Sequence, residues 1–355
     1  MVQLEKLTNS YINVSGELYD SEFINLVQIK DNQIGFDERT LFLNQAMKSK
    51  LNAEPIERHG EGVYIIDING RKGVICDLPI SEYQRGAVKN HELVLPDTIQ
   101  GMLSNYHGYN AEAAPVMLIA KEPVDFNTFI ATHLPKAKYR VGDVSLFFYT
   151  GDEADLLLTD LGRNDVLFVG DGHHRLYSTS LSGFKKSVLS YVINLEEVDI
   201  LPIHRQLPHL KDEQFNAALH FLQNKFTVQP IPPAEITTAM PQKDTVLMYH
   251  GNKAWRVKLI TLLSDGFWNN DIYRLNTQII QQAFRTFDDR KVRYLSEDAC
   301  RKAMRRSQHS VFFRVAPTTK AEFMESAKQG NILPPKSTWM SPKAPSLLVM
   351  SKYQK

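Results

Sequence analysis

Gly170-Asp171-Gly172-His173-His174-Arg175-Leu176 sets one acid, two imidazoles and a guanidinium directly behind an apolar run. Asp165-Val166-Leu167-Phe168-Val169, just before it, has the β-branched and aromatic content of a buried strand. Leu176-Tyr177-Ser178-Thr179-Ser180-Leu181, just after it, reads as a short helix stopped by Gly183. The unit is strand, sharp turn, helix. Gly170 and Gly172 are expected to take positive φ and let the backbone approach a ligand, while the N–H groups and dipole of the helix N-terminus favour an anion. A strand-Asp-Gly turn is a common structural device. Four polar side chains in five residues, however, would each need a partner if buried, so the stretch is a candidate site.

Strands and short helices alternate outward from this turn. Val63–Ile68, the turn Asn69-Gly70 and Gly73–Cys76 predict a β-hairpin. Pro115–Ile119, Val144–Tyr149 and Ser187–Ile193 read as further strands. The spacing of Ser81 and Gln84 suits a capping box opening a helix that runs to Pro96, with Arg85, Lys89 and Glu92 along one face. On that reading alone the face is a solvated stripe. A helix from Asp212, a hairpin over 245–259, a helix through Ile272, Leu275 and Ile279, a strand at 310–315 and a capped helix from Thr319 to Gly330 follow. The alternation predicts a mixed α/β (α+β) fold. The prolines of 230–241 predict an extended linker, dividing the chain into a core at 1–225, a linker at 226–244 and a second α/β lobe at 245–355.

Composition narrows the function. The 355 residues are 43% hydrophobic and 23% charged, an ordinary globular balance able to bury a core. A net charge of +1 argues against a general nucleic-acid or acidic-membrane surface, and the cluster Arg301, Lys302, Arg305 and Arg306 reads as a solvated helix face. Cys76 and Cys300 form no CxxC, which excludes a disulfide framework or a cysteine-rich zinc site. Without a basic and apolar leader or an eighteen-residue apolar run, the expectation is a soluble cytoplasmic protein. Oligomeric state is not legible. There is no internal repeat, GxxxxGK[ST] or GxGxxG. Near the end, Lys336, Ser337, Thr338 and Lys343 lie on a loop stiffened by Pro334, Pro335 and Pro342; such a loop suits phosphate or carboxylate binding, or simply covers a sheet edge.

Lys89-x-His91-Glu92 followed by Asp171-Gly172-His173-His174-Arg175 resembles the signature pair of the free L-serine kinases of the ParB/sulfiredoxin-like superfamily. With His204-Arg205, Arg274-Leu275 and Pro334-Pro335-Lys336-Ser337-Thr338-Trp339-x-x-Pro342-Lys343 added, residues 63 to 350 resemble a large bacterial family labelled as a domain of unknown function, family ten-fifteen. The resemblance implies a ParB-like core and phosphoryl transfer from a nucleotide, ATP or ADP with Mg²⁺, to the hydroxyl of free L-serine. It implies Glu92 as general base, with Asp171 and His173 as catalytic partners. Gly170, Gly172, His174, Arg175, Lys336, Ser337 and Thr338 would bind the nucleotide phosphates, and His91, His204 and Arg205 the substrate. Two rivals stand beside it: a non-catalytic nucleotide-binding switch or interaction protein keeping the same pocket, and a metal-dependent hydrolase built on His91, Asp171, His173 and His174. Arg175 beside the histidines works against a cation there.

Overall fold

The turn between Ile68 and Arg71 organises the larger sheet. Asn69 and Gly70 both take positive φ, 54° and 86°, which matches the right-handed twist of the flanking strands Ile56–Ile68 and Arg71–Pro79. In the computed structural model, which describes residues 1–38, 40–262, 267–330, 333–334 and 336–353, the mixed α/β fold is evident. Two compact units result. The first comprises Met1–Asn90, Val94–Asp199 and Met340–Lys355, and the second His91–Leu93 and Ile200–Trp339.

Among the described residues, the first unit carries a thirteen-stranded mixed sheet. Ser187–Asn194 lies between Arg71–Pro79, antiparallel to it, and Val116–Ala120, parallel to it. Leu167–Asp171 adds antiparallel to the far side of Val116–Ala120. Val116–Ala120 is apolar throughout, and Val116, Leu118, Ile119, Ala120, Leu167 and Val169 have no exposed surface, as strands covered on both faces require. Among the described residues, the second unit holds a six-stranded sheet, with Val228–Ile231 at one edge and Arg293–Leu295 at the other. Among the described residues, no helix is long and apolar enough to cross a membrane.

Three sequence expectations change. The helix opened by Ser81 is only Ile80–Gln84, with Pro79 at its N-cap. Gly86 at φ +82° ends it, and Val88–Lys89 then pairs parallel with Leu167–Phe168. Arg85, Lys89 and Glu92 therefore share no helical face. Pro96 starts a helix, Pro96–Gly108, instead of ending one, because a residue lacking the N–H costs nothing in a first turn. The stretch 226–244 is no bare linker either. It contributes the strand Val228–Ile231 and the helix Pro233–Thr238, and the compact units divide at Asp199 and Ile200. Pro230 is tolerated because its strand is an edge. The helix after Arg274 is real but turns to π geometry over Leu275–Gln281.

Candidate functional site

In the first unit the candidate turn is built by a bulge followed by a helix start. Pairing between Leu167–Asp171 and Val116–Ala120 slips between Val169 and Asp171, a device that re-aims the following side chain. Gly170 sits in that slip. It does not take positive φ as expected. Its role is space, since a Cβ there would lie 3.0 Å from Ile119 Cδ1 and 3.2 Å from Met117 Sδ. Gly172 does take positive φ, +88°, and caps the helix His173–Leu181, which Leu176 anchors in the core beside Leu167 and Val169.

Asp171 emerges between two cations. Arg175 Nη2 donates to Oδ2 at 2.6 Å, and Lys343 Nζ donates to Oδ1 at 2.7 Å. Burial alone would raise the Asp171 pKa, but Arg175 and Lys343 outweigh it and hold the carboxyl below its usual range. Arg175 is itself fixed, since Nη1 donates to the carbonyls of Ala114 and Pro115 at 2.7 and 3.1 Å. His173 is buried. His174 Nε2 accepts the N–H of Leu95 at 2.9 Å, just ahead of the helix Pro96–Gly108. Lys343 also meets Glu22 Oε1 at 2.8 Å. Behind the helix, Tyr106 Oη donates to the Arg175 carbonyl at 3.2 Å and lies 2.9 Å from Thr179 Oγ1.

The other predicted residues belong to the second unit, where they converge on the Lys336 loop. Lys336 takes φ +59°, so successive N–H groups point the same way. Glu92 fills that position: Oε1 accepts from Lys336 N at 2.9 Å and Oε2 from Ser337 N at 3.3 Å. His91 Nε2 lies 2.7 Å from Thr338 Oγ1, and Ser337 Oγ donates to the Pro334 carbonyl at 2.6 Å. Arg205, fully buried, donates to the Lys336 carbonyl at 2.9 Å. His204 is fully buried too, with Nε2 donating to Glu297 Oε2 at 2.5 Å and Nδ1 accepting from Val315 N at 3.3 Å. Burial pushes its pKa down to about 4 despite Glu297. These contacts give His204 and Arg205 the work of holding strand and loop, and leave His204 no ring nitrogen for a substrate. Pro335 lies outside the described residues.

The structure thus brings Asp171, Arg175 and Lys343 together in one unit and His91, Glu92, Lys336, Ser337, Thr338 and Arg205 in the other. Lys343 stood out in the sequence as part of a proline-stiffened loop and as the end of the terminal motif, and Glu22 gave no signal. Among the described residues, no three His, Cys, Asp or Glu side chains gather as a metal site. The four residues of the hydrolase reading divide between units, His91 in the second and the others in the first. Mg²⁺ is commonly held by one or two carboxylates plus substrate phosphates. Asp171, whose two oxygens each face a cation, does not fit that role as it stands.

Residues 18–280 match the model of a family described as "Protein of unknown function (DUF1015)". The match begins well before residue 63 and stops short of the Lys336 loop. No curated protein matches the chain. A free serine kinase variant in complex with ADP has TM-score 0.46 and 16% identity, covering 79% of this chain and 92% of that one. SbnI from Staphylococcus aureus, truncated at its C-terminus, has TM-score 0.45 and 15% identity over 78% and 86%. A conserved hypothetical protein from Pyrococcus furiosus has TM-score 0.42 and 15% identity over 77% and 93%.

Proposed function

The chain belongs to the DUF1015 family, and we propose that it is a nucleotide-dependent phosphotransferase acting on the hydroxyl of a small molecule, free L-serine by the resemblance of its motifs, with ATP or ADP as donor. The core is read as ParB/sulfiredoxin-like on the same resemblance. The observation that carries the proposal is the Asp171–Arg175 turn: a helix N-terminus opened by a left-handed glycine, with Arg175 and Lys343 fixed about one carboxylate. Phosphoryl transfer is chiefly positioning and charge neutralisation, and this turn supplies both.

In the proposed reaction the serine hydroxyl oxygen attacks the terminal phosphorus, the bond from that phosphorus to the bridging oxygen breaks, and the shortened nucleotide leaves. Glu92 takes the hydroxyl proton, which requires hydrogen-bond reach of the substrate. The helix N-terminus with His173, His174 and Arg175 takes the phosphates, and Asp171 orients the hydroxyl. ³¹P NMR with ATP or ADP and L-serine tests the proposal. A phosphomonoester resonance that needs serine and disappears in Glu92→Ala is the expected result; its absence with both donors defeats the kinase reading.

One observation favours the second reading, a non-catalytic nucleotide-binding switch. Both Glu92 oxygens accept backbone N–H groups of the Lys336 loop, which is the arrangement of a structural tie. Nucleotide binding with no phosphomonoester, and Glu92→Ala weakening the fold more than the binding, is the outcome that reading requires.

A further inference from the structure

Lys343 is a shared cation. Its Nζ lies 2.7 Å from Asp171 Oδ1 and 2.8 Å from Glu22 Oε1. The two carboxylates differ in setting: the Glu22 side chain is 60% exposed and that of Asp171 23%, against 14% for Lys343. Asp171 is also locked by Arg175; Glu22, the more exposed of the two, is the partner that an anion arriving from solvent can displace. Burial alone would lower the Lys343 pKa, but Asp171 and Glu22 raise it, so the ammonium persists. Glu22 is delivered by the N-terminal segment, which is stitched to the irregular stretch that follows Lys343. Ser346 Oγ donates to the Asp20 carbonyl at 2.7 Å, Tyr19 bridges to Ser346, and Glu22 N donates to Asp20 Oδ1 at 2.9 Å.

We infer that Glu22 is a built-in rival for Lys343, through which the N-terminal segment sets how tightly the turn takes a phosphate. Arg175 is held in place by Asp171 and two backbone carbonyls, whereas the lysine, a point charge on a flexible stem, can turn towards an incoming anion. Such an anion has two choices at Lys343. It displaces Glu22, or it binds beside a carboxylate whose charge opposes its own. Either way the carboxylate costs affinity, and an amide of the same size at position 22 keeps the hydrogen bond while removing the charge. The inference rests on reading the turn as phosphate-binding and does not need phosphoryl transfer.

The test is calorimetric titration of the full chain with inorganic pyrophosphate, comparing wild type, Glu22→Gln, Lys343→Gln and the double variant. Glu22→Gln, at an exposed position, is expected to fold normally and to tighten binding about two- to fivefold, the range of an exposed ion pair. Lys343→Gln is expected to weaken binding by roughly tenfold, as for loss of a charge-assisted contact, and adding Glu22→Gln to it is expected to give no gain. Unchanged or weaker binding in Glu22→Gln overturns the inference, as does a gain that survives without Lys343 or an absence of pyrophosphate binding in both wild type and Glu22→Gln. The ³¹P assay on the same proteins separates the two ideas. Tighter pyrophosphate binding in Glu22→Gln without phosphoserine keeps this inference and defeats the kinase reading; phosphoserine formation with no change in affinity does the reverse.

Discussion

Lys185→Met tests how firmly the turn is supported from behind. The Lys185 side chain is fully buried, with Nζ 2.6 Å from Glu112 Oε1 and 4.7 and 4.8 Å from the ring centres of Tyr106 and Tyr353. Glu112 Oε2 accepts the N–H of Leu189 at 2.9 Å. Methionine preserves most of the volume, so the chief effect is to strand the Glu112 carboxylate in the interior. Removing one member of a buried pair costs about 3–5 kcal/mol, and the two ring contacts add to the loss. The double variant with Glu112→Gln removes the stranded charge and keeps an acceptor for Leu189, so it is expected to recover at least half of that. Trp255, Trp268 and Trp339 all lie in the other unit, so tryptophan fluorescence is the wrong probe. Hydrogen exchange of Ser187–Asn194 through a urea series is the right one. A single-variant loss under about 1 kcal/mol, or a double variant as unstable as the single, refutes the reasoning, because a costly orphan charge is what distinguishes it from simple packing.

Two further variants read neighbouring parts of the same unit. Burial, with the Glu112 carboxylate nearby, pushes Asp77 up to about 7 from 3.8. Its folded form thus holds a proton more tightly than the unfolded chain does. The stability this contributes is full below the unfolded pKa and is lost as pH rises through about 7. Asp77→Asn is therefore expected to raise the urea midpoint at about pH 8 and to lose that advantage towards about pH 5; an equal effect at both denies the buried titration. Gly172→Ala places a Cβ 3.0 Å from Arg175 Nε and Nη2 at φ +88°. It is expected to strain the backbone by about 1–2 kcal/mol and to displace Arg175, weakening pyrophosphate binding. Gly183→Ala supplies the control, with φ +77° and nothing within 4 Å. Equal loss of binding in both would mean that strain alone, and not the arginine, is responsible.

What was legible in the sequence was local. The Asn69-Gly70 hairpin, the strand-turn-helix at Gly172 and the Thr319 cap, where Glu322 completes a capping box, each depend on residues a few positions apart. The failures have equally particular causes. Gly86 ends the helix after Gln84, a stop of the same kind as Gly183, but Arg85, Lys89 and Glu92 keep helical spacing across it. Pro230 read as linker because nothing in the string says that its strand is an edge. Gly170 read as a turn glycine, whereas its missing Cβ makes room for Ile119, a neighbour across the sheet. The Lys343 contact with Asp171 spans 172 positions, and neither residue's neighbours encode it.

The two carboxylates on which the proposed chemistry depends are both engaged at rest, in different ways. Asp171 faces two cations, so an incoming phosphate meets a site whose positive charge is already partly neutralised. Glu92 spends its oxygens on the N–H groups of Lys336 and Ser337. Each oxygen keeps a second lone pair, but turning the carboxylate to aim it at a hydroxyl elsewhere means releasing at least one of those amides. A hydrogen bond to a charged group is worth about 1.5–3 kcal/mol, so release is costly unless something else takes the amides. A phosphate oxygen has the right charge and acceptor geometry for a pair of successive N–H groups. If Glu92 acts as a base, the direction in which it can offer that lone pair is coupled to what occupies the Lys336 loop.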